Sequence, residues 1–143
     1  MTRHGWTDQH LAQVPLFRGL SKRQLRTVSS LASRIEAQPG KILAKQGQPG
    51  HEFIIVLEGQ VEVRSGDRVL ATRGPGEYVG EIALMDSRPR TADVVTKTPV
   101  IVDVMSSREF QGLLGEVPEL SEQIRATMAE RLAELETQAS ASV

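Results

Sequence analysis

The segment GEYVGEIALMDSRPRTADVV, from Gly76 to Val95, decides how the rest of the chain is read. Gly76 and Gly80 permit backbone conformations and close approaches that a side chain would block, so peptide N–H groups there can converge on an oxyanion. Ile82-Ala83-Leu84-Met85 is long enough for one helical turn, and the unpaired N–H groups opening such a turn attract negative charge. Glu81 stands at its mouth. A carboxylate there repels phosphate but accepts hydrogen bonds from a sugar hydroxyl, as an acidic residue does toward ribose in dinucleotide sites. Arg90 carries a planar fork of donors that matches two phosphate oxygens, and Pro89 stiffens its approach. These groups in this order predict a phosphate-binding cassette for an anionic, hydroxylated ligand. The bland alternative is a Glu–Arg surface ion pair worth under ~1 kcal/mol.

Gly80-Glu81-Ile82-Ala83-Leu84 followed by Pro89-Arg90-Thr91-Ala92 resembles the signature of the cyclic nucleotide-binding domain of protein kinase A regulatory subunits, catabolite activator proteins and cyclic nucleotide-gated channels. The resemblance implies that cAMP, or less readily cGMP, is the ligand. It puts Glu81 on the ribose 2′-hydroxyl and Arg90 on the equatorial phosphate oxygens. The backbone N–H groups of Ala83 and of Thr91 or Ala92 take the remaining oxygens, and Gly80 allows the close approach. Val79, Gly80, Glu81, Ile82, Ala83, Leu84, Arg90, Thr91 and Ala92 form the candidate ligand-binding set. Arg88 is two residues out of register and reads as solvated. Thr91 stands where the kinase A sites carry alanine. Its hydroxyl suits the guanine 2-amino group of a syn purine, yet Ser or Thr also occurs there in similar proteins that prefer cAMP. The expectation is cAMP, with cGMP kept open.

Outside the cassette the hydrophobic period changes twice. Ser21 and Gln24 form a capping box, and Leu25, Val28, Leu31 and Ile35 then recur at three- and four-residue spacing, which predicts a buried helical face within 20–37. Thr7 is placed to cap a shorter helix over Asp8–Gln13, stopped by Pro15. From Gln38 the reading is of short strands. Phe53–Leu57 is a continuous apolar run, Val61 and Val63 alternate with polar residues, and Ser65-Gly66-Asp67 closes a hairpin onto Val69–Thr72. Asp93–Thr96 and Val100–Val104 follow the cassette, separated by a Pro99 turn. Such spacing suggests a sandwich or barrel. The resemblance narrows it to an α+β, mainly β fold: an eight-stranded antiparallel jelly-roll barrel, or double-stranded β-helix, over 38–105. N-terminal helices and C-terminal helices at 107–137 flank it.

Ser106 and Glu109 make a second capping box before Phe110, Leu113 and Leu114, in a helix that Gly115 can end, and Pro118 suits the first turn of a longer one. In that longer helix Leu120, Ile124, Met128, Leu132 and Leu135 lie on one stripe. The stripe packs on the barrel or on a second copy, which makes a homodimer through this helix one expectation. The resemblance adds a sharper one, a lid over the base, with Arg125, Met128 and Arg131 as candidates to stack on or bond the purine.

The domain reading is therefore a tail and short helix over 1–14, a cyclic nucleotide-binding domain over 15–137 and a disordered tail over 138–143. At 143 residues, 39% of them hydrophobic, the chain suits a single core. Its net charge of −1 implies no polyanion-binding surface, and the absence of cysteine excludes disulfides and thiolate metal sites and fits a cytoplasmic setting. No apolar run approaches the ~20 residues of a membrane span. The short remainder after the last helix leaves no room for a helix-turn-helix, so direct DNA binding is not expected.

Three functional classes follow. The first is a cyclic nucleotide sensor that signals to an effector protein through its C-terminal helices. The second is a degenerate member of the fold that serves as a protein-interaction module or takes another nucleotide, such as a cyclic dinucleotide. The third is a small cupin-type enzyme, for which His4, His10 and His51 are too widely separated to make a metal site. No nucleophile–base pair or P-loop lysine is visible, so no catalytic residue is assigned and no metal is expected.

Overall fold

Ser21 and Ser106 start two helices by the same device. Ser21 accepts a hydrogen bond from the Gln24 N–H at 3.1 Å, and the Gln24 side chain accepts from the Ser21 N–H at 2.9 Å. Ser106 and Glu109 repeat the exchange at 3.2 and 2.8 Å. Each box pairs donors that a helix start leaves unsatisfied. In the computed structural model, which describes residues 11–44, 52–81 and 92–141, these caps open α1 (Lys22–Leu31) and α2 (Ser107–Glu116). The long helix α3 (Pro118–Ala141) follows after Val117. Of the predicted helix over Asp8–Gln13, residues 8–10 lie outside the described residues, while Leu11 is helical and Ala12 and Gln13 form a turn.

Eight strands are described: β1 (Ser33–Ala37), β2 (Ile42–Ala44), β3 (Glu52–Glu58), β4 (Val61–Ser65), β5 (Arg68–Arg73), β6 (Tyr78–Val79), β7 (Asp93–Thr96) and β8 (Val100–Ser106). They form two four-stranded antiparallel sheets, ordered β1-β8-β3-β6 and β2-β7-β4-β5. This is the expected jelly-roll arrangement, although among the described residues the two sheets face each other without a ladder that closes the barrel.

Side chains alternate across a strand, so each strand of the first sheet serves two cores. Ile54, Val56, Val79, Val102 and Val104 point inward to Val61 and Val94 of the second sheet. Phe53, Ile55, Leu57, Tyr78, Ile101 and Met105 point outward to the helices, where they meet Leu25, Val28, Phe110, Leu113, Leu120 and Ile124. Burial on both faces explains why Phe53–Leu57 is apolar without interruption. The outer core also fixes α3 against the same sheet that carries β6.

Three expectations need correction. Residues 33–37 do not continue the first helix. Ala32 ends α1 in an extended conformation, and β1 then pairs along β8 with Arg34 opposite Asp103. Arg34 donates to both carboxylate oxygens of the buried Asp103, at 3.0 and 3.1 Å. Ile35, four residues after Leu31 and so in step with the helical stripe, is instead a strand residue that is 39% exposed. Its β-branched side chain is at home there. The second correction concerns the end of the chain, where residues 138–141 are helical and extend α3, rather than belonging to a disordered tail. Ala139 and Ala141 carry high helix propensity, and no Gly or Pro interrupts the run. Gly115 likewise fails to end α2, which runs on to Glu116.

Candidate functional site

The hairpin leading into the cassette is tied to β3 before it reaches Glu81. Gly76 donates to the Val56 carbonyl and Val56 donates to the Glu77 carbonyl, both at 2.8 Å, while the Glu77 side chain accepts from the Gly74 N–H at 2.8 Å. β6 then pairs with β3 through Ile54↔Val79 and Ile55↔Tyr78. Gly76 and Gly80 take φ values of +87° and +99°, a region that side chains other than glycine rarely adopt. That turn at Gly80 carries the chain out of the sheet and delivers Glu81.

Glu81 is only 1% exposed. A buried carboxylate requires a counter-charge, and Arg131 of α3 supplies it, with Nη1 donating to Oε1 at 2.5 Å. The Arg131 guanidinium also lies over the Tyr78 ring, 4.8 Å from its centroid, which adds a cation–π contact. Tyr78 in turn packs on Phe53 at 5.2 Å, and Phe53 on Phe110 of α2 at 4.6 Å. Both C-terminal helices therefore bear on the residues that precede the cassette.

The second carboxylate oxygen of Glu81, Oε2, is buried and has no hydrogen-bond partner among the described residues. Leaving a buried acceptor of this kind unpaired costs about 1–3 kcal/mol, and more for a charged group. Burial pushes the Tyr78 phenol up from its ordinary pKa, partly offset by Thr127 of α3, whose side chain is near the hydroxyl but does not complete a full hydrogen bond. Arg73, at the end of β5, is pulled below the ordinary arginine value by burial and then by the neighbouring Arg131 charge, against the pull of Glu77, Glu134 and Glu81.

Of the candidate ligand-binding residues, Val79, Gly80, Glu81 and Ala92 are described. Glu81 is buried and paired with Arg131, Gly80 precedes it, and Val79 and Ala92 are buried too, Val79 in the core between the sheets. Ile82, Ala83, Leu84, Arg90 and Thr91 lie outside the described residues, as does Arg88. The three lid candidates separate. Arg131 reaches Glu81, Met128 is buried on the apolar stripe, and Arg125 is exposed. Six residues of helix turn Arg125 about 120° away from Arg131, which is why the two do not share a face. The approach of Arg131 to Tyr78 and Arg73 was not legible, because α3, distant in sequence, makes it.

Among the described residues no group of three or more His, Asp or Glu side chains is arranged to hold a metal ion, and no helix is long and apolar enough to cross a membrane.

Comparison with known proteins agrees with this architecture. The family model described as the cyclic nucleotide-binding domain matches residues 34–116, more than half of the chain. A cyclic nucleotide-gated potassium channel of Mesorhizobium japonicum is 34% identical over 123 residues, covering 86% of this chain and 34% of the channel. A cAMP-dependent protein kinase regulatory subunit of Hypocrea atroviridis is 28% identical over 118 residues, covering 82% of this chain and 26% of that protein. The chain thus spans about a quarter to a third of these relatives. Among solved structures, the regulatory subunit of a cAMP-independent protein kinase A from Trypanosoma cruzi bound to guanosine superposes with a TM-score of 0.71 at 30% identity, covering 80% of this chain and 43% of that one. With the family match over residues 34–116, this chain belongs to the cyclic nucleotide-binding domain family.

Proposed function

We propose that the chain is a cyclic nucleotide sensor that takes cAMP, with cGMP as its competitor. The observation that carries this reading is the buried Glu81 carboxylate, with one oxygen held by Arg131 and the other open among the described residues. A ribose 2′-hydroxyl is a neutral donor of the right kind for that oxygen. Arg131 neutralises Glu81 and thereby reduces its repulsion of the nearby phosphate, which Arg90 and the cassette amides bind. Ligand and α3 then meet on one carboxylate. A nucleotide that binds more tightly when α3 is seated on Glu81 shifts the population toward the seated state, and an effector protein reads the position of α3. The role is binding and switching, with no catalytic residue assigned.

A second reading has one specific observation behind it. The Trypanosoma cruzi neighbour is described as cAMP-independent and bound to guanosine, so a site of this fold can hold a nucleoside. Calorimetric titration with cAMP, cGMP and guanosine separates the two. The sensor reading predicts saturable binding of at least one cyclic nucleotide, and guanosine weaker by tenfold or more for want of the phosphate, a charge-assisted contact worth about 1.5–3 kcal/mol. Guanosine binding as tightly as the cyclic nucleotides would replace it with a nucleoside site. No binding by any of the three would leave the degenerate interaction module.

A further inference from the structure

The outer side of an edge strand offers backbone donors and acceptors to any strand that can lie along it, and the two sheets end in β1 and β6 and in β2 and β5. β6 spans only two residues, and β2 only three, with a register shift in its ladder to β7. β5 is longer but carries an arginine at each end, Arg68 and Arg73. Laid antiparallel along a second copy of itself, it sets Arg68 against Arg73, and like charges directly opposite repel. These three edges are blunted against self-pairing.

β1 differs from them. Its five residues, SRIEA, pair with β8 along one side and with no strand along the other among the described residues. Ser33, Ile35 and Glu36 are exposed, and Ile35, at 39%, is a large apolar side chain left at the surface. Laid antiparallel along a second copy about Ile35, the strand is its own complement. Arg34 then faces Glu36, Ser33 faces Ala37, and the two Ile35 side chains meet on the axis. Residues two apart share a face, so both charge pairs form on the same side of the sheet. That is the side on which Asp103 already holds the Arg34 guanidinium, through Nε and Nη2. Moving the centre to Arg34 or to Glu36 sets like charges opposite each other, as does a parallel alignment in register.

We infer that β1 is a contact surface for a second copy of this chain, with a two-fold axis through Ile35. The contact is isologous, and it runs the two first sheets together as β6-β3-β8-β1-β1-β8-β3-β6. The backbone ladder and the covered Ile35 pair supply the attraction, and the two Arg34–Glu36 pairs fix the register. Five residues a side bury less than the ~1,000 Å² of a stable interface, so the dimer is weak and forms at high protein concentration. It uses neither the nucleotide site nor the apolar stripe of α3.

The chain has no cysteine, which makes cross-linking a clean test of the axis. Cα atoms directly opposite across an antiparallel pair lie about 4.5–5.5 Å apart, within disulfide range. Ile35→Cys is therefore expected to give a covalent dimer as the main product of mild oxidation. Ser33→Cys, equally accessible, places its two sulfur-bearing residues roughly 14 Å apart along the strands and is expected to cross-link at least about tenfold more slowly. Sedimentation equilibrium supplies the second arm, with thermal melts to establish folding. Glu36→Lys turns both charge pairs repulsive and is expected to weaken the dimer of the unaltered chain about tenfold or more. Ile35→Lys sets two charges together on the axis and is expected to do the same, which keeps this arm decisive if one variant folds poorly. An unaltered chain that stays monomeric to millimolar concentration, a dimer unmoved by both lysine variants, or equal cross-linking at Ser33 and Ile35 would each overturn the inference.

Discussion

Replacing Arg90 with Ala is expected to weaken cAMP binding by about hundredfold or more. A planar guanidinium holds two phosphate oxygens at once, and each charge-assisted hydrogen bond contributes about 1.5–3 kcal/mol, so losing both exceeds what the cassette amides can restore. Arg90→Lys keeps a positive charge but loses the fork, and is expected to bind between the two. Titration calorimetry on the three proteins, each checked for folding by circular dichroism, measures the series. Affinity within about threefold across it would show that the cassette does not use this arginine for the phosphate.

Arg131→Met is the second large effect, and it acts on stability as well as on ligand. Glu81 is 1% exposed, and Arg131 is the partner of its Oε1. Removing one member of a buried pair leaves an uncompensated charge, at a cost of about 3 kcal/mol or more. For a chain of this size that lowers the melting temperature on the order of 10 °C. The substitution also removes the cation over Tyr78 and leaves the carboxylate free to repel the ligand phosphate, so affinity falls too. The double variant Glu81→Gln/Arg131→Met separates the effects, since it removes both buried charges together. It is expected to regain most of the lost stability while binding remains weak. A double variant no more stable than Arg131→Met would show that the arginine stabilises through packing on Tyr78 rather than through the carboxylate.

What could be read in advance follows from how local each feature is. The capping boxes at Ser21 and Ser106 are fixed by residues three apart, and both were legible. The two-sided burial of β3 shows in the unbroken run Phe53–Leu57, and Glu81 was marked by the glycine before it. Residues 33–37 misled because Leu31 and Ile35 fall at a helical interval, while their strand is set by pairing with β8, about seventy residues on in the chain. Arg34 on Asp103, Arg131 on Glu81 and Arg73 beside Arg131 share that character. Each joins segments that only the packed fold brings together. The choice of Arg131 over Arg125 depended on the rotation of α3 about its axis, which the buried Leu120, Ile124 and Met128 set.

In the proposed sensor Glu81 Oε2, without a partner among the described residues, takes the hydroxyl of a ribose, and titrating cAMP and 2′-deoxy-cAMP into the unaltered chain and Glu81→Gln tests it. The unaltered chain is expected to bind the deoxy ligand about tenfold or more weakly, the worth of one hydrogen bond to a charged group, and Glu81→Gln to lose most of that discrimination. Equal affinity of the unaltered chain for both ligands would show that Glu81 does not hold the ribose hydroxyl.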